Sequence, residues 1–137
     1  MTTKVTDVAP ADPAAAAEHF ESALRFETDC SYVREALRAG RADFVLLDVR
    51  SLQSYAEGHV PGALSLPHAR IDDDALRGHP RDRLFVVYCA GPHCNGAHRA
   101  AIRLARLGRP VKIMIGGVAG WLDEGFELES EPAPPGV

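Results

Sequence analysis

The chain has 137 residues, a formal net charge of −4, 46% apolar and 25% charged residues. That length fits one domain with a single full core, and its 15 Lys and Arg are scattered, which excludes the basic patch that grips nucleic acid. No apolar run reaches the length of a membrane span. Three cysteines are too few for a disulfide framework, and Met1 to Pro13 lacks the order of a secretory leader, so a cytoplasmic location is expected.

Met1 to Ala11 is polar and short. Asp12-Pro13 is a helix start, an N-cap followed by proline in the first turn, and Ala16, Ala17, Phe20, Ala23 and Leu24 recur at helical spacing. Residues 1–28 are therefore read as a tail with an extra helix. A second helix starts at Asp29 or Ser31, buries Val33, Ala36 and Leu37, and stops at Gly40. Phe44 to Val49 is a continuous apolar run carrying one acid, as expected of a strand covered on both faces. Ser51 to Glu57 suits a short helix ending at Gly58. A turn at His59-Val60-Pro61-Gly62 and a short strand over Ala63 to Leu66 follow. Ile71 to Leu76 is weakly helical.

Leu84 to Tyr88 is the next buried strand. The helix beyond it puts Ala97, Ala100, Ala101, Leu104 and Leu107 on one face and Arg99, Arg103 and Arg106 on the other, which reads as solvated. Val111 to Ile115 is the last strand, and Gly116-Gly117 leads into a short helix anchored by Trp121. Residues 130–137 read as a flexible tail. This alternation predicts an α/β domain with a mostly parallel sheet and helices on both faces.

Cys89 directly follows the Leu84–Tyr88 run, and the loop Ala90, Gly91, Pro92, His93, Cys94, Asn95, Gly96 separates it from the next helix. A thiol at the mouth of a buried strand, against a helix N-terminus, meets backbone N–H groups and the positive end of the dipole. The expected consequence is a thiolate, with a pKa below the usual value of about 8.5. Gly91 and Gly96 let the loop curl, Pro92 stiffens it, and His93 is placed to offer a charge or a proton to an incoming sulfur. Cys94 reads as a thiol that resolves an oxidised or persulfidated Cys89, as a small loop filler, or, with Arg99 five residues on, as the nucleophile itself; Cys89 is preferred for that role because it abuts the strand.

Asp48 ends its strand at the same sheet edge, where α/β ligands bind. A buried carboxylate needs partners, with Arg50, His59 or loop N–H groups as candidates, so its role reads as structural. Arg50 is expected to pair with Glu57, and His59 to cap the turn before Val60-Pro61. Cys30 reads as a small apolar residue. His68, His79 and His98 are scattered, so no metal and no cofactor is expected.

Leu47-Asp48-Val49-Arg50, Tyr55-Ala56-Glu57-Gly58-His59-Val60-Pro61-Gly62-Ala63, Val86-Val87-Tyr88-Cys89, and Gly116-Gly117 with Trp121 occur in that order. Together they resemble the rhodanese-like domain family, over about Ser31 to Leu128, with the domain drawn at 29–129. The resemblance implies a central parallel sheet of about five strands. It implies that Cys89 takes sulfane sulfur from a donor such as thiosulfate, becomes a persulfide, and passes the sulfur to a thiophilic acceptor. In ordinary members an arginine and a serine close a shorter loop. Here Gly96 and Ala97 stand in their place, and the loop resembles a Cys-x-Gly-Pro-x-Cys subgroup.

The leading expectation is thus a sulfurtransferase serving a small-molecule donor and a thiol acceptor, with no nucleic acid or membrane partner. Its rival is a redox or sulfur-sensing module that cycles a Cys89–Cys94 disulfide. A phosphatase or arsenate reductase of a related fold would place arginine after Cys89 and five further residues, where this chain has Asn95.

Overall fold

The computed structural model describes residues 1–131; the tail expected over 130–137 lies outside the described residues from position 132 onward. Helix α1 spans Pro13–Ala23, strand β1 Glu27–Asp29, and helix α2 Cys30–Arg38. Strand β2 spans Phe44–Asp48, helix α3 Leu52–Glu57, and strand β3 Leu64–Ser65. Strand β4 spans Leu84–Tyr88, helix α4 Gly96–Arg106, strand β5 Val111–Ile115, and helix α5 Gly117–Asp123. All strand pairings are parallel and the order across the sheet is β1-β5-β4-β2-β3.

The helix starts follow from local chemistry. Asp12 accepts the Ala14 N–H at 3.2 Å, with proline in the first turn of α1. Asp29 accepts the Tyr32 N–H at 2.8 Å at the start of α2, and Ser51 accepts the Ser54 N–H at 3.1 Å at the start of α3. Each side-chain oxygen satisfies an amide that has no partner within its helix.

The sheet is buried on both faces because successive side chains of β2 and β4 point to opposite sides. Leu47, Phe85 and Val87 pack with Ala97, Ala100 and Leu104 of α4 and with Ile71 and Leu76. Leu46, Val86, Tyr88 and Met114 pack with Cys30 and Val33 of α2 and with Trp121 of α5. The indole N–H of Trp121 donates to the Glu127 carbonyl at 2.9 Å, so its polar edge is satisfied inside the core.

Two expectations change. Strand β1 precedes α2 and was not foreseen: Glu-Thr-Asp carries no apolar signal, and as an edge strand it pairs only with β5. Helix α1 forms as expected, outside the core: it buries nothing, and Phe20 and Leu24 stay exposed. Ile71 to Leu76 is not a helix. A 3-10 turn covers His68–Arg70, after which Asp72 Oδ1 accepts the Ala75 N–H at 2.8 Å and holds the chain in turns. The buried Arg109 guanidinium fixes that segment by donating to the carbonyls of Leu76, His79 and Pro80 at 3.1–3.3 Å.

Candidate functional site

In a parallel sheet every strand delivers its C-terminal end to the same edge, and here β2, β3 and β4 lie side by side. A cavity of about 450 Å³ opens there. Val49, Arg50, Ser51 and Ser54 reach it from the β2–α3 connection, Pro67, His68 and Ala69 from beyond β3, and Cys89, Ala90, Cys94, Asn95 and Gly96 from the β4–α4 loop. The lining contains no carboxylate, which suits an anionic ligand.

Backbone bonds continue past the strand ends and set the cavity wall. The Val49 N–H donates to the Tyr88 carbonyl at 3.1 Å, and the His68 N–H to the Val49 carbonyl at 3.1 Å. On the other side the first turn of α5 braces the thiol loop. The Val118 N–H donates to the Cys89 carbonyl at 3.1 Å and the Ala119 N–H to the Ala90 carbonyl at 2.9 Å. Gly117 makes this approach possible. Its φ is +58°, and a Cβ there would meet Gly91 N at 3.0 Å and lie closer still to the Cys89 carbonyl oxygen.

Two sulfurs occupy the centre. Cys89 is 7% exposed and packs into the α4-side core, whereas Cys94 is half-buried. Both thiols are free, and their Sγ atoms lie 2.6 Å apart. The Gly96 N–H donates to Cys94 Sγ at 3.5 Å. Gly96 must be glycine for this contact: a Cβ there would stand 2.7 Å from Cys89 Sγ.

The two thiols have opposite acidities, and this corrects the expectation for Cys89. Burial, followed by the hydrogen bond to Cys94, pushes the Cys89 thiol up to about 11, although the Ala90 and Gly96 amides pull the other way. Cys94 is lowered, first by the hydrogen bond from Cys89 and then by the Gly96 amide. The loop amides and the Cys89 S–H thus favour an anion on the outer sulfur, because desolvation at the inner one outweighs them. Cys30 is also pushed up to about 11, chiefly by burial, and its sulfur faces the Ile115 and Gly117 carbonyls. A pH series with iodoacetamide is therefore expected to label Cys94 below the range of an ordinary cysteine. Cys30 and Cys89, each only about one-thousandth thiolate at pH 8, should follow toward pH 11. Peptide mapping reads the order, and equal labelling of Cys89 and Cys94 at neutral pH would contradict it.

The acid at the end of β2 is fully buried and fully engaged. Asp48 accepts from the Arg50 N–H at 3.0 Å, from Arg50 Nε at 3.0 Å, from Arg50 NH2 at 2.6 Å and from the Tyr88 hydroxyl at 2.8 Å. Tyr88 in turn accepts from the Val60 N–H at 3.0 Å, and burial and Asp48 push its pKa up, so it stays a neutral donor. Arg50 does not pair with Glu57 as expected; it turns back to Asp48 and donates to the Gly58 carbonyl at 2.6 Å. The short reach across the sheet edge outcompetes the exposed end of α3.

Of the other sequence candidates, His59 lies outside the cavity. Its ring stacks on Tyr55 at 3.8 Å, Nδ1 meets the Tyr55 carbonyl at 2.8 Å, and Nε2 faces Glu129 and Glu131. Pro92 and His93 are exposed and do not line the cavity, so His93 does not face the sulfurs. Asn95 does line it, and its Oδ1 accepts from Arg99 Nε at 3.1 Å. Ser51, Ser54 and His68 line the cavity without having been foreseen. The signal for them was positional, since each follows a strand end that a parallel sheet brings to the Cys89 edge. Among the described residues no group of three His, Cys, Asp or Glu gathers as metal ligands, and no helix is long and apolar enough to cross a membrane.

Comparison with known proteins agrees with this geometry. The family model of the rhodanese-like domain matches residues 29–124. The BH2092 protein from Bacillus halodurans is 35% identical, with a TM-score of 0.84 over 87% of both chains. The thiosulfate sulfurtransferase from Pseudomonas aeruginosa is 25% identical, with a TM-score of 0.68 over 82% of this chain and 22% of that one. The HTH-type transcriptional regulator Rv0324 of Mycobacterium tuberculosis is 39% identical over 104 residues, 74% of this chain. The match spans 45% of the regulator, so less than half of that protein has a counterpart here. With its five-stranded parallel sheet, its thiol loop between β4 and α4, and these matches, the chain belongs to the rhodanese-like domain family.

Proposed function

We propose that this domain carries sulfane sulfur, taken from a small anionic donor such as thiosulfate, as a persulfide on Cys89, and passes it to a thiol acceptor. The observation that carries the reading is the paired sulfurs 2.6 Å apart on the wall of a cavity free of carboxylates. The family supports sulfur chemistry in general, and the likeness to a thiosulfate sulfurtransferase supports the donor class.

The pair explains how a thiol as weakly acidic as Cys89 becomes a nucleophile. Cys94 is the more acidic sulfur of the pair, and its thiolate is placed to accept the Cys89 proton. As the donor arrives, the proton passes to Cys94. Cys89 then attacks the outer sulfur of thiosulfate, the S–S bond of the donor breaks, and sulfite leaves with the bonding electron pair. General-base activation of this kind is the usual solution when a nucleophile is neutral at rest. The Ala90 and Gly96 amides face the new negative charge.

The test is a sulfite count. Mixing the reduced protein with excess thiosulfate, without acceptor, should release about one sulfite per chain in a single burst. No burst would refute the reading. A protein that instead only loses two hydrogens on mild oxidation, without taking up sulfur, would be the redox module set out as the rival.

A further inference from the structure

We infer that the domain also discharges its sulfur internally: Cys94 attacks the persulfide on Cys89, releasing hydrosulfide and leaving a Cys89–Cys94 disulfide. This rests on the loading of Cys89 proposed above, and it adds a second activity, the reduction of sulfane sulfur at the expense of the two thiols.

The geometry points to this step in three ways. Cys94 Sγ already touches Cys89 Sγ, so the attacking sulfur needs no loop movement to reach its target. Gly96, by lacking a Cβ, keeps the space beside Cys89 Sγ open, and its N–H holds the Cys94 sulfur at 3.5 Å. Both thiols line one cavity, so the departing sulfur has an exit to solvent through the space where the donor entered.

The step balances. Loading leaves a persulfide anion on Cys89 and a neutral thiol on Cys94. Cys94 Sγ forms a bond to Cys89 Sγ, and the bond from Cys89 Sγ to the terminal sulfur breaks. The terminal sulfur takes the electron pair and the Cys94 proton and leaves as hydrosulfide. The sulfane sulfur is reduced by two electrons, and the two thiols are oxidised to a disulfide. A thiol or dithiol reductant in solution then returns the pair to its starting state, by ordinary thiol–disulfide exchange at the half-exposed Cys94. The Gly96 N–H stays on the Cys94 sulfur after Cys89 has given up its proton, and it favours the thiolate, which is the reactive form.

The experiment is one turnover without external reductant. Reduced protein is mixed with thiosulfate, and sulfite and hydrosulfide are counted in the filtrate while the protein is mapped by mass. The expected result is sulfite followed by about one hydrosulfide per chain, with a Cys89–Cys94 disulfide in place of a persulfide. Cys94→Ser removes the base and loads more slowly, so hydrosulfide is counted per sulfite released: that ratio should fall about tenfold or more, and the sulfur that does load should stay on Cys89. Cys94→Ala serves as a second variant, and far-UV circular dichroism shows that each is folded. A parent that releases sulfite but holds a stable persulfide, or variants that release as much hydrosulfide per sulfite as the parent, would overturn the inference and leave sulfur carriage standing. Absence of the sulfite burst itself would instead remove the reading on which it rests.

Discussion

A Cys89→Ser protein is expected to fold as the parent does and to lose thiosulfate-to-cyanide sulfur transfer by about a thousandfold or more. Serine is close to cysteine in size, and residue 89 is 7% exposed within the α4-side core, so the packing is kept. The loss is chemical. An alcohol cannot hold sulfane sulfur. The measurement is steady-state transfer with thiosulfate and cyanide, accompanied by thermal melts of both proteins. The informative alternative is residual activity near a tenth of the parent: it would show Cys94 taking the sulfur itself, which its lower pKa and greater exposure permit. Such a result would exchange the roles of the two thiols while leaving the pair as the site.

Much of this arrangement is written locally and could be read before any coordinates. The thiol loop lies between an apolar run and a helical repeat, and β4 and α4 flank it in the structure. The N-cap at Asp29 and the stop at Gly58 are signals within one turn of chain, where sequence and structure are nearly the same thing. The parallel sheet follows from apolar runs long enough to be covered on two sides.

What could not be read depends on distance through space. Ser51, Ser54 and His68 reach the cavity only because β3 and β4 flank β2, an adjacency that no local pattern encodes. The partner of Arg50 turned on the competition between two nearby carboxylates, and the fully buried Asp48 won over the exposed Glu57. The acidity order of the thiols is subtler. Sequence places amides around both sulfurs, but how far each thiol sinks into the core decides which amide field is outweighed by desolvation. Cys89 sinks and Cys94 does not, and that difference is a product of the β4–α4 loop as a whole.

Asp48→Ala should cost about 3–5 kcal/mol of folding stability, a large share of the 5–15 kcal/mol typical of a whole domain. The carboxylate is fully buried and accepts from the Arg50 guanidinium, the Arg50 amide and the Tyr88 hydroxyl. Alanine removes every one of these acceptors at once and leaves a guanidinium whose side chain is only 14% exposed. That remaining access to water places the cost toward the lower end of the range. Tyr88 also anchors the Val60 amide, so the damage spreads to the turn before β3. Asp48→Asn keeps the shape and one acceptor oxygen and should cost less than alanine. Urea unfolding measures both: the midpoint should fall while the slope stays the same, because the surface exposed on unfolding is unchanged. A midpoint shift for alanine worth less than about 1 kcal/mol would mean that water replaces the carboxylate, and that Arg50 and Tyr88 are held by the fold rather than by Asp48. The same variant bears on the site, because Arg50 lines the cavity and Asp48, with the Gly58 carbonyl, holds its side chain in place. Its sulfite burst should slow even under conditions where the protein remains folded.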